Sequence, residues 1–282
     1  MRVHQATTVM ARITIQDWHE KPPEYRFREM LQSDTIVTDR KGLFDWVFGD
    51  FQEIKLSGTE GSVFFGRLGK VRKEKISTFY DEKNHTFIKD SLSKRFATYS
   101  NFVIHPVKHI IVFEEKKPDI SISQFQQFFS SLYLRSHGDF SNIRVEPIVE
   151  IENIFDKLNN YDKIIKIDFD LFPSNPDDSE EFRSLDQALR ATKAKKTNIK
   201  MANDIGLDIQ SALITQGLHL SAAGYGDYKI DAVKGDKTDT IKSKDNIRRI
   251  TLLFLDEPPT VAEKFYSLIK TYLEDVEKRK KK

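Results

Sequence analysis

The stretch IIKIDFDLF, residues 164–172, alternates apolar and polar side chains. Such a period of two predicts a β-strand with one buried face and one solvated face. Its apolar side chains are β-branched, aromatic or leucine, which suits the pleated surface of a sheet. The apolar positions are Ile165, Ile167, Phe169 and Leu171, and the polar positions are Lys166, Asp168 and Asp170. We therefore predict that the second half of the chain is built around this strand.

The segments after this strand alternate between helical and extended patterns. Proline and turn-forming residues at 173–178 end the strand, and apolar side chains then recur at helical spacing over residues 180–192. The remaining predicted elements are a strand at 197–201, a helix at 206–218, a strand at 225–233, a polar turn or mobile loop at 235–244, a strand at 247–255 and a helix at 261–278. This order indicates helices packed on a mixed or mostly antiparallel sheet.

The first half of the chain is richer in strand patterns. Apart from strands it contains three helical patterns, at residues 24–32, 124–135 and 154–160. The predicted strands and hairpins are at 11–17, 42–51, 61–70, 75–89, 96–113 and 143–151. We predict an α+β fold of two lobes, each a mixed or antiparallel sheet with packed helices. The predicted domains are a β-rich α+β domain at 1–155 and an α+β domain with a basic tail at 156–282.

Composition limits the classes of function. The chain has 282 residues, no cysteine and a net charge of +2, so disulfides, thiolate metal sites and cysteine catalysis are excluded. A near-neutral chain must bind nucleic acid through local clusters of cations, if it does so at all. We find no signal-peptide pattern and no apolar run long enough to span a membrane. The expected location is the cytoplasm.

Three motifs resemble catalytic or ligand sites but have simpler structural interpretations. The run GSVFFGRLGK, residues 61–70, lacks the Ser or Thr that follows the lysine of a phosphate loop. His105 and His109 have metal-ligand spacing only if they lie on a helix, and Pro106 argues against one. His219 lies near Ser221 in GLHLSAAGYG, which a helix end followed by a hairpin explains.

Asp168 and Asp170 are the strongest candidates for a metal site. Because they share one strand face, they could ligate a divalent cation in a nuclease, with Asp177 as a third ligand. A solvated sheet face explains the same pattern and is the favoured interpretation. We predict no cofactor and no catalytic residue.

Clustered cations are the main functional signal. They are typical of proteins that contact backbone phosphates. The candidate nucleic-acid-binding residues are Arg190, Lys193, Lys195, Lys196, Lys200, Lys242, Lys244, Arg248, Arg249, Arg67, Lys70, Arg72 and Lys73.

Several segments resemble the RexA-like phage-exclusion (abortive infection) family. They are the strand pair at 97–113, the helix entry at 118–134, Arg144-Val145-Glu146-Pro147-Ile148, the GLHLS run at 217–221 and the charged C-terminal helix. The resemblance covers residues 95–280. It implies a cytoplasmic homodimer of two α/β lobes that binds DNA with little sequence preference and signals to a membrane effector protein. No catalytic residues carry over.

The leading hypothesis is a non-enzymatic anti-phage sensor that binds nucleic acid, DNA in preference to RNA, through backbone phosphates. One alternative is a metal-dependent nuclease that uses Asp168 and Asp170. The other is a protein–protein adaptor that docks its partner on the aromatic tract at residues 44–51.

Overall fold

A computed structural model describes most of the chain, namely residues 3–15, 22–55, 62–73, 76–81, 86–91, 97–138, 143–175 and 180–280. The strands are β1 (Val3–Ile15), β2 (Val37–Thr38), β3 (Phe44–Lys55), β4 (Ser62–Arg72), β5 (Ile76–Asp81), β6 (Thr86–Ser91), β7 (Ala97–His105), β8 (Ile110–Glu115), β9 (Ile143–Pro147), β10 (Lys163–Leu171), β11 (Thr197–Ala202), β12 (Gly226–Lys234), β13 (Lys237–Lys242) and β14 (Arg249–Leu255). The helices are α1 (Pro23–Leu31), α2 (Ile122–His137), α3 (Ile151–Leu158), α4 (Arg183–Ala191), α5 (Ala212–Ala222) and α6 (Pro258–Lys280).

The first lobe is an antiparallel sheet with helices on both faces. Its strand order is β14-β1-β8-β7-β4-β3-β2, and β9 pairs with residues 11–15 of β1, beyond the part that pairs with β14. Helices α1 and α2 pack on one face of the sheet and α6 packs on the other. The hairpin of β5 and β6 forms a separate two-stranded sheet.

Helix α2 shows how local sequence builds this lobe. Ser121 caps it by accepting a hydrogen bond from the backbone N–H of Gln124, whose side chain bonds back to the N–H of Ser121. This reciprocal cap satisfies two amide groups at the helix start. Phe125, Phe129 and Leu132 then bury one helical stripe completely against the sheet.

The second lobe is built around β10, as the alternating stretch predicts. Its sheet has the order β11-β10-β12-β13, with every pairing antiparallel. Ile167, Phe169 and Leu171 are fully buried in a core shared with α3, α4 and α5. A bulge between Ile164 and Lys166 breaks the alternation and places Ile164 in that core.

Two of the differences from the sequence predictions lie in the second lobe. Residues 237–242 form β13, although residues 235–244 were expected to be a polar turn or mobile loop. Their only buried side chain is that of Ile241, so pairing with β12 rather than apolar alternation makes them a strand. Helix α5 starts at Ala212 and not near 206, because Asn203 and Asp208 bond to nearby backbone N–H groups and hold turns there.

The two lobes are not consecutive in sequence. Val149 and Ile247 are antiparallel bridge partners, and the second core is made by residues between them. After this point β14 and α6 return to the first sheet. Sheet membership therefore does not follow the predicted division at residue 155, because the last strand and helix of the chain belong with the first lobe.

Hydrogen bonds from the side chains of Arg12 and Asn175 to backbone carbonyl oxygens join the lobes. The guanidinium of Arg12 donates to the carbonyl oxygens of Ala223, at 3.3 Å, and Lys108, at 2.9 Å. Asn175 donates from its side-chain amide to the carbonyl of Ile13 at 2.9 Å. A Cβ atom at Gly224 would lie 2.6 Å from the Cβ of Arg12, so this close approach requires glycine.

The predicted fold class is confirmed: the protein is α+β, with two lobes that each consist of an antiparallel sheet and packed helices. No helix in the described ranges combines the length and the apolar character needed to cross a membrane.

Candidate nucleic-acid interface

A cleft of about 480 Å³ lies between the two lobes. One side is formed by β9 and the residues after it, and the other by the solvated face of the second sheet and the turn after β13. The lining residues are Gln126, Glu146, Pro147, Val149, Asp168, Asp170, Asn198, Lys200, Ser221, Gly226, Asp227, Tyr228, Lys229, Lys242, Ser243, Lys244 and Ile247. Its volume is typical of sites for small ligands.

The carboxylates on the sheet side of the cleft are held by neighbouring groups. Asp168 pairs with Lys166 at 3.1 Å, and Asp170 pairs with Lys196 at 3.0 Å. Although partial burial acts in the opposite direction, hydrogen bonds from Lys196 and Asn198 lower the pKa of Asp170. Asp170 therefore stays ionised, with its charge compensated.

Two further carboxylates come from opposite lobes. Asp227 on β12 accepts a hydrogen bond from the hydroxyl of Ser243 at 2.5 Å. Burial raises the pKa of Glu146 on β9 to about 7, and the negative charge of Asp227 adds to this rise. Arg144 and Lys196 act in the opposite direction. Glu146 consequently titrates near neutral pH.

Arg144 lies next to the cleft and connects β9 with the end of β10. Its guanidinium lies 3.7 Å from the centroid of the Phe172 ring, a cation–π contact that joins β9 to the end of β10. Burial lowers the pKa of Arg144, while Glu146, Asp170 and Asp227 favour its charged form. The cation therefore stabilises carboxylates of both lobes, although Arg144 does not itself line the cleft.

Four lysines supply the positive charge of the cleft. Lys200, Lys229, Lys242 and Lys244 line it, and none of the four forms an ion pair within the described part of the chain. Together with Lys166 and Lys196 they make six cations. The carboxylates that line the cleft are four, namely Glu146, Asp168, Asp170 and Asp227. Such an excess of positive charge between two walls attracts anionic groups.

Two polar atoms in the lining of the cleft have unused hydrogen-bonding capacity. The hydroxyl of Ser221 and Oδ1 of Asp168 are buried, and neither has a hydrogen-bond partner among the residues that the structure describes. Ser221 is 2% exposed. A buried polar group without a partner costs about 1–3 kcal/mol, so a ligand that supplied the missing bond would recover this free energy.

The structure brings only some of the predicted cations to the cleft. Three of them, Lys200, Lys242 and Lys244, line it. Lys196 pairs with Asp170, one of the lining residues. Lys193 and Lys195 are exposed in the turn between α4 and β11, just before Lys196. Sequence reasoning missed Lys229, because its alternation with apolar neighbours on β12 resembles an ordinary solvated strand face. It also missed Glu146 and Asp227, which approach each other only in the folded chain.

Arg190 stabilises a loop. Its guanidinium pairs with the fully buried Asp186 at 2.6 Å and donates to the carbonyl oxygens of Ser174, at 2.8 Å, and Asn175, at 3.1 Å. These bonds fix the segment that follows β10. The residue therefore has a structural role that its position in the sequence does not reveal.

The other predicted cations lie away from the cleft. Arg249 pairs with Glu115 at 2.7 Å, and Arg248 pairs with Glu150. Arg67 pairs with Asp50 at 2.8 Å and with Asp256 at 3.2 Å. The three other residues of this group lie on or just after β4: Lys70 donates to the carbonyl of Asp119 at 2.8 Å, Lys73 lies 3.4 Å from Asp45, and Arg72 is exposed at the strand end.

The structure shows the surroundings of most residues named in the nuclease and adaptor hypotheses. Asp168 and Asp170 share the solvated face of β10, but no group of three or more His, Asp or Glu side chains in the described ranges is arranged to hold a metal ion. Asp177 lies outside the described residues. In the aromatic tract, Trp46 is 1% exposed and stacks on Phe128 at 4.0 Å, so it is part of the core.

The histidines of the other candidate motifs have structural settings. His105 ends β7 and His109 lies in the turn before β8 with a φ of 52°, so the two do not share a helical face. Burial lowers the pKa of His109 to about 3. His219 lies 3.5 Å from Glu181 near the end of α5.

Comparison with known proteins gives a family but no named relative. No curated protein matches the chain. A family model described as "Domain of unknown function (DUF4747)" matches residues 10–270, which is most of the sequence. The chain therefore belongs to the DUF4747 family.

Proposed function

We propose that the protein binds nucleic acid through backbone phosphates at the cleft between its lobes. The observation that carries this proposal is the set of four lysines, Lys200, Lys229, Lys242 and Lys244, that line the cleft without ion-pair partners in the described residues. Of the carboxylates beside them, Asp168 and Asp170 are paired with Lys166 and Lys196, and Asp227 accepts a hydrogen bond from Ser243. Binding through phosphates needs such clustered cations and reads little sequence.

The same proposal assigns the protein to anti-phage defence as a non-enzymatic sensor. This part rests on the resemblance to RexA-like exclusion proteins over residues 95–280. That resemblance implies a cytoplasmic homodimer, a preference for DNA over RNA and a membrane effector partner. Glu146 and Ser221, which lie in two of the segments that carry the resemblance, both line the cleft.

Charge reversal at the cleft tests the proposal. In the Lys242→Glu/Lys244→Glu variant we expect affinity for a labelled single strand to fall by about tenfold or more, because two phosphate contacts are lost. The slope of log affinity against log salt should decrease by about 1.4, or about 0.7 for each lost contact with a single strand. Fluorescence anisotropy over about 50 to 200 mM salt measures both quantities.

A matched control separates the cleft from general electrostatic attraction. Lys234→Glu/Lys237→Glu makes the same charge change at the opposite end of the β12–β13 hairpin, where the two residues are paired and do not line the cleft. This control should keep most of the wild-type affinity. An equal loss in both variants, or no loss at Lys242 and Lys244, would remove the cleft from the binding surface.

A further inference from the structure

We infer that the cleft holds one unpaired nucleotide, with its phosphate on the lysines and its base against Ser221 and Asp168. The ligand class is then single-stranded nucleic acid, and not duplex. This inference rests on the proposed function and specifies its substrate.

The size of the cleft limits the ligand. An open cleft of about 480 Å³ between the two lobes accommodates a ligand of nucleotide size. A stacked duplex presents its phosphates on the outside of a wide rod, which could touch the rim of the cleft but could not enter it. An unpaired nucleotide can turn its base away from the strand and into such a site.

The polarity of the cleft matches a ligand with two different ends. Lys242 and Lys244 favour an anion, whereas Asp168 lies two strands away on β10, between Lys200 and Lys229, and its Oδ1 can only accept a hydrogen bond. A phosphate or a second carboxylate would be repelled by Asp168. The amino and ring N–H groups of a nucleobase are donors that suit it, and the Watson–Crick edge that carries them is fully exposed only when the base is unpaired.

Ser221 adds a second partner for the base. Its hydroxyl can donate and accept, it lines the same cleft, and it has no hydrogen-bond partner in the described part of the protein. Pro147 and Ile247, which are partly exposed, line the cleft as well and offer apolar surface to the face of a base. A hydrogen-bonding edge and an apolar wall together distinguish a base from a bare sugar–phosphate backbone.

Three ligands test this inference on the wild-type protein. They are a short single strand, the duplex of the same sequence, and a strand of equal length whose nucleotides are abasic. We expect the single strand to bind about tenfold more tightly than either of the others, which is in the range of one stacked and hydrogen-bonded base. Equal affinity for the single strand and the abasic strand, or for the single strand and the duplex, would overturn the inference.

Two substitutions locate the base-binding groups. Ser221→Ala and Asp168→Asn should each reduce the preference for the base-bearing strand over the abasic strand by about fivefold. Affinity for the abasic strand should stay the same in Ser221→Ala and rise in Asp168→Asn, which removes a negative charge from the cleft. Ser267→Ala and Asp204→Asn make the same changes at exposed positions outside the cleft and should preserve the preference. A preference that both cleft variants retain in full would contradict the assignment of these groups.

The inference and the proposed function fail in different ways. Salt-dependent binding that is equal for all three ligands would leave phosphate binding in place and remove the base site. Failure of every ligand to bind at low salt would overturn both. Thermal unfolding of each variant shows whether it is folded, and the wild-type comparison decides the inference even where a variant is not.

Discussion

Glu146 lines the cleft, and its ionisation affects the stability of the folded protein. Its carboxyl group lies on β9 of the first lobe, and the negative charge of Asp227, on β12 of the second lobe, raises its pKa. Burial raises its pKa from 4.5 to about 7 in the folded protein. The folded state therefore favours the protonated form, and ionisation of Glu146 opposes folding.

The sign of this effect gives a prediction for Glu146→Gln. The stabilisation from the protonated carboxyl is fully present below about pH 4.5 and is lost as pH rises through about 7. At about pH 8.5 we expect the Gln variant to be more stable than wild type by about 2 kcal/mol, since a shift of one unit corresponds to about 1.4 kcal/mol and partial exposure reduces the effect. Urea unfolding at that pH and near pH 5 measures the difference, which should be small at the lower pH.

The control for this prediction is Glu263→Gln, which removes an exposed carboxylate on α6. It should change stability little at either pH. A stability difference between wild type and Glu146→Gln that does not depend on pH would show that the carboxyl is ionised at the same pH in both states.

Single residues also show why the sequence identified cations better than it identified a site. Arg190, Arg248 and Arg249 belong to basic clusters in the sequence, yet each is paired with a carboxylate in the fold. Two of those carboxylates, Glu150 and Glu115, lie about a hundred residues or more away in the chain, so pairing rules for neighbours in a helix could not find them. Ser221 was visible in the GLHLS run, but its buried, unpartnered hydroxyl is a property of the folded protein alone.

At the scale of elements, the approach of β12 to β10 forms one end of the cleft. Gly226 begins β12 with a φ of +155°, and a Cβ atom there would lie 2.3 Å from the carbonyl oxygen of Asp170. It would also lie 3.0 Å from the Cα of Leu171. Because both contacts are with backbone atoms, they cannot be relieved by rotation of a side chain.

We predict that Gly226→Ala destabilises the protein by about 2–4 kcal/mol, from overpacking together with backbone strain. Gly235→Ala is the matched control, because Gly235 also has positive φ, +58°, but a Cβ atom there has nothing within 4 Å. Its expected cost is only about 1 kcal/mol, which is the strain of a left-handed residue. Chemical denaturation of both variants gives the comparison, and equal costs would mean that β12 can shift away from β10.

The elements that sequence reasoning found are those with strong local signals. The alternation of β10 and the phenylalanine stripe and cap of α2 required no knowledge of distant contacts. β13 was missed because its sequence has one buried apolar residue and its strand character comes from β12. The start of α5 is predicted too early because Leu207 and Ile209 lie at helical spacing from Ile214 and Leu213, whereas turn-forming side chains interrupt the helix there.

At the scale of the whole molecule, one lobe is inserted into the other. The first lobe needs both the start of the chain and its end, since β14 pairs with β1 and α6 covers the buried side chains Phe65, Val103 and Val112. The register of β1 with β14 joins Val3 to Leu255. A boundary read along the sequence cannot show this, because no local pattern indicates which distant strand is the partner.

The insertion predicts where the chain can be divided. Val149 and Ile247 are bridge partners, so a short Gly/Ser linker can replace residues 150–246 without moving either end. We expect the shortened chain to be soluble and to unfold cooperatively, because β14 and α6 still cover the first sheet. A fragment of residues 1–155 should aggregate, since without α6 one apolar face of that sheet is exposed to water.

The isolated segment 149–247 completes this test. It contains the whole second core, so it should fold, although less stably than in the full chain because the bonds from Arg12 and Asn175 across the lobes are lost. Circular dichroism and urea unfolding of the three proteins give the answer. Cooperative folding of residues 1–155 alone would mean that β14 and α6 are additions to a complete domain. In the full chain, insertion ties both ends of the second lobe to the first lobe, between β9 and β14, and so holds the lysines and Glu146 on opposite sides of one cleft.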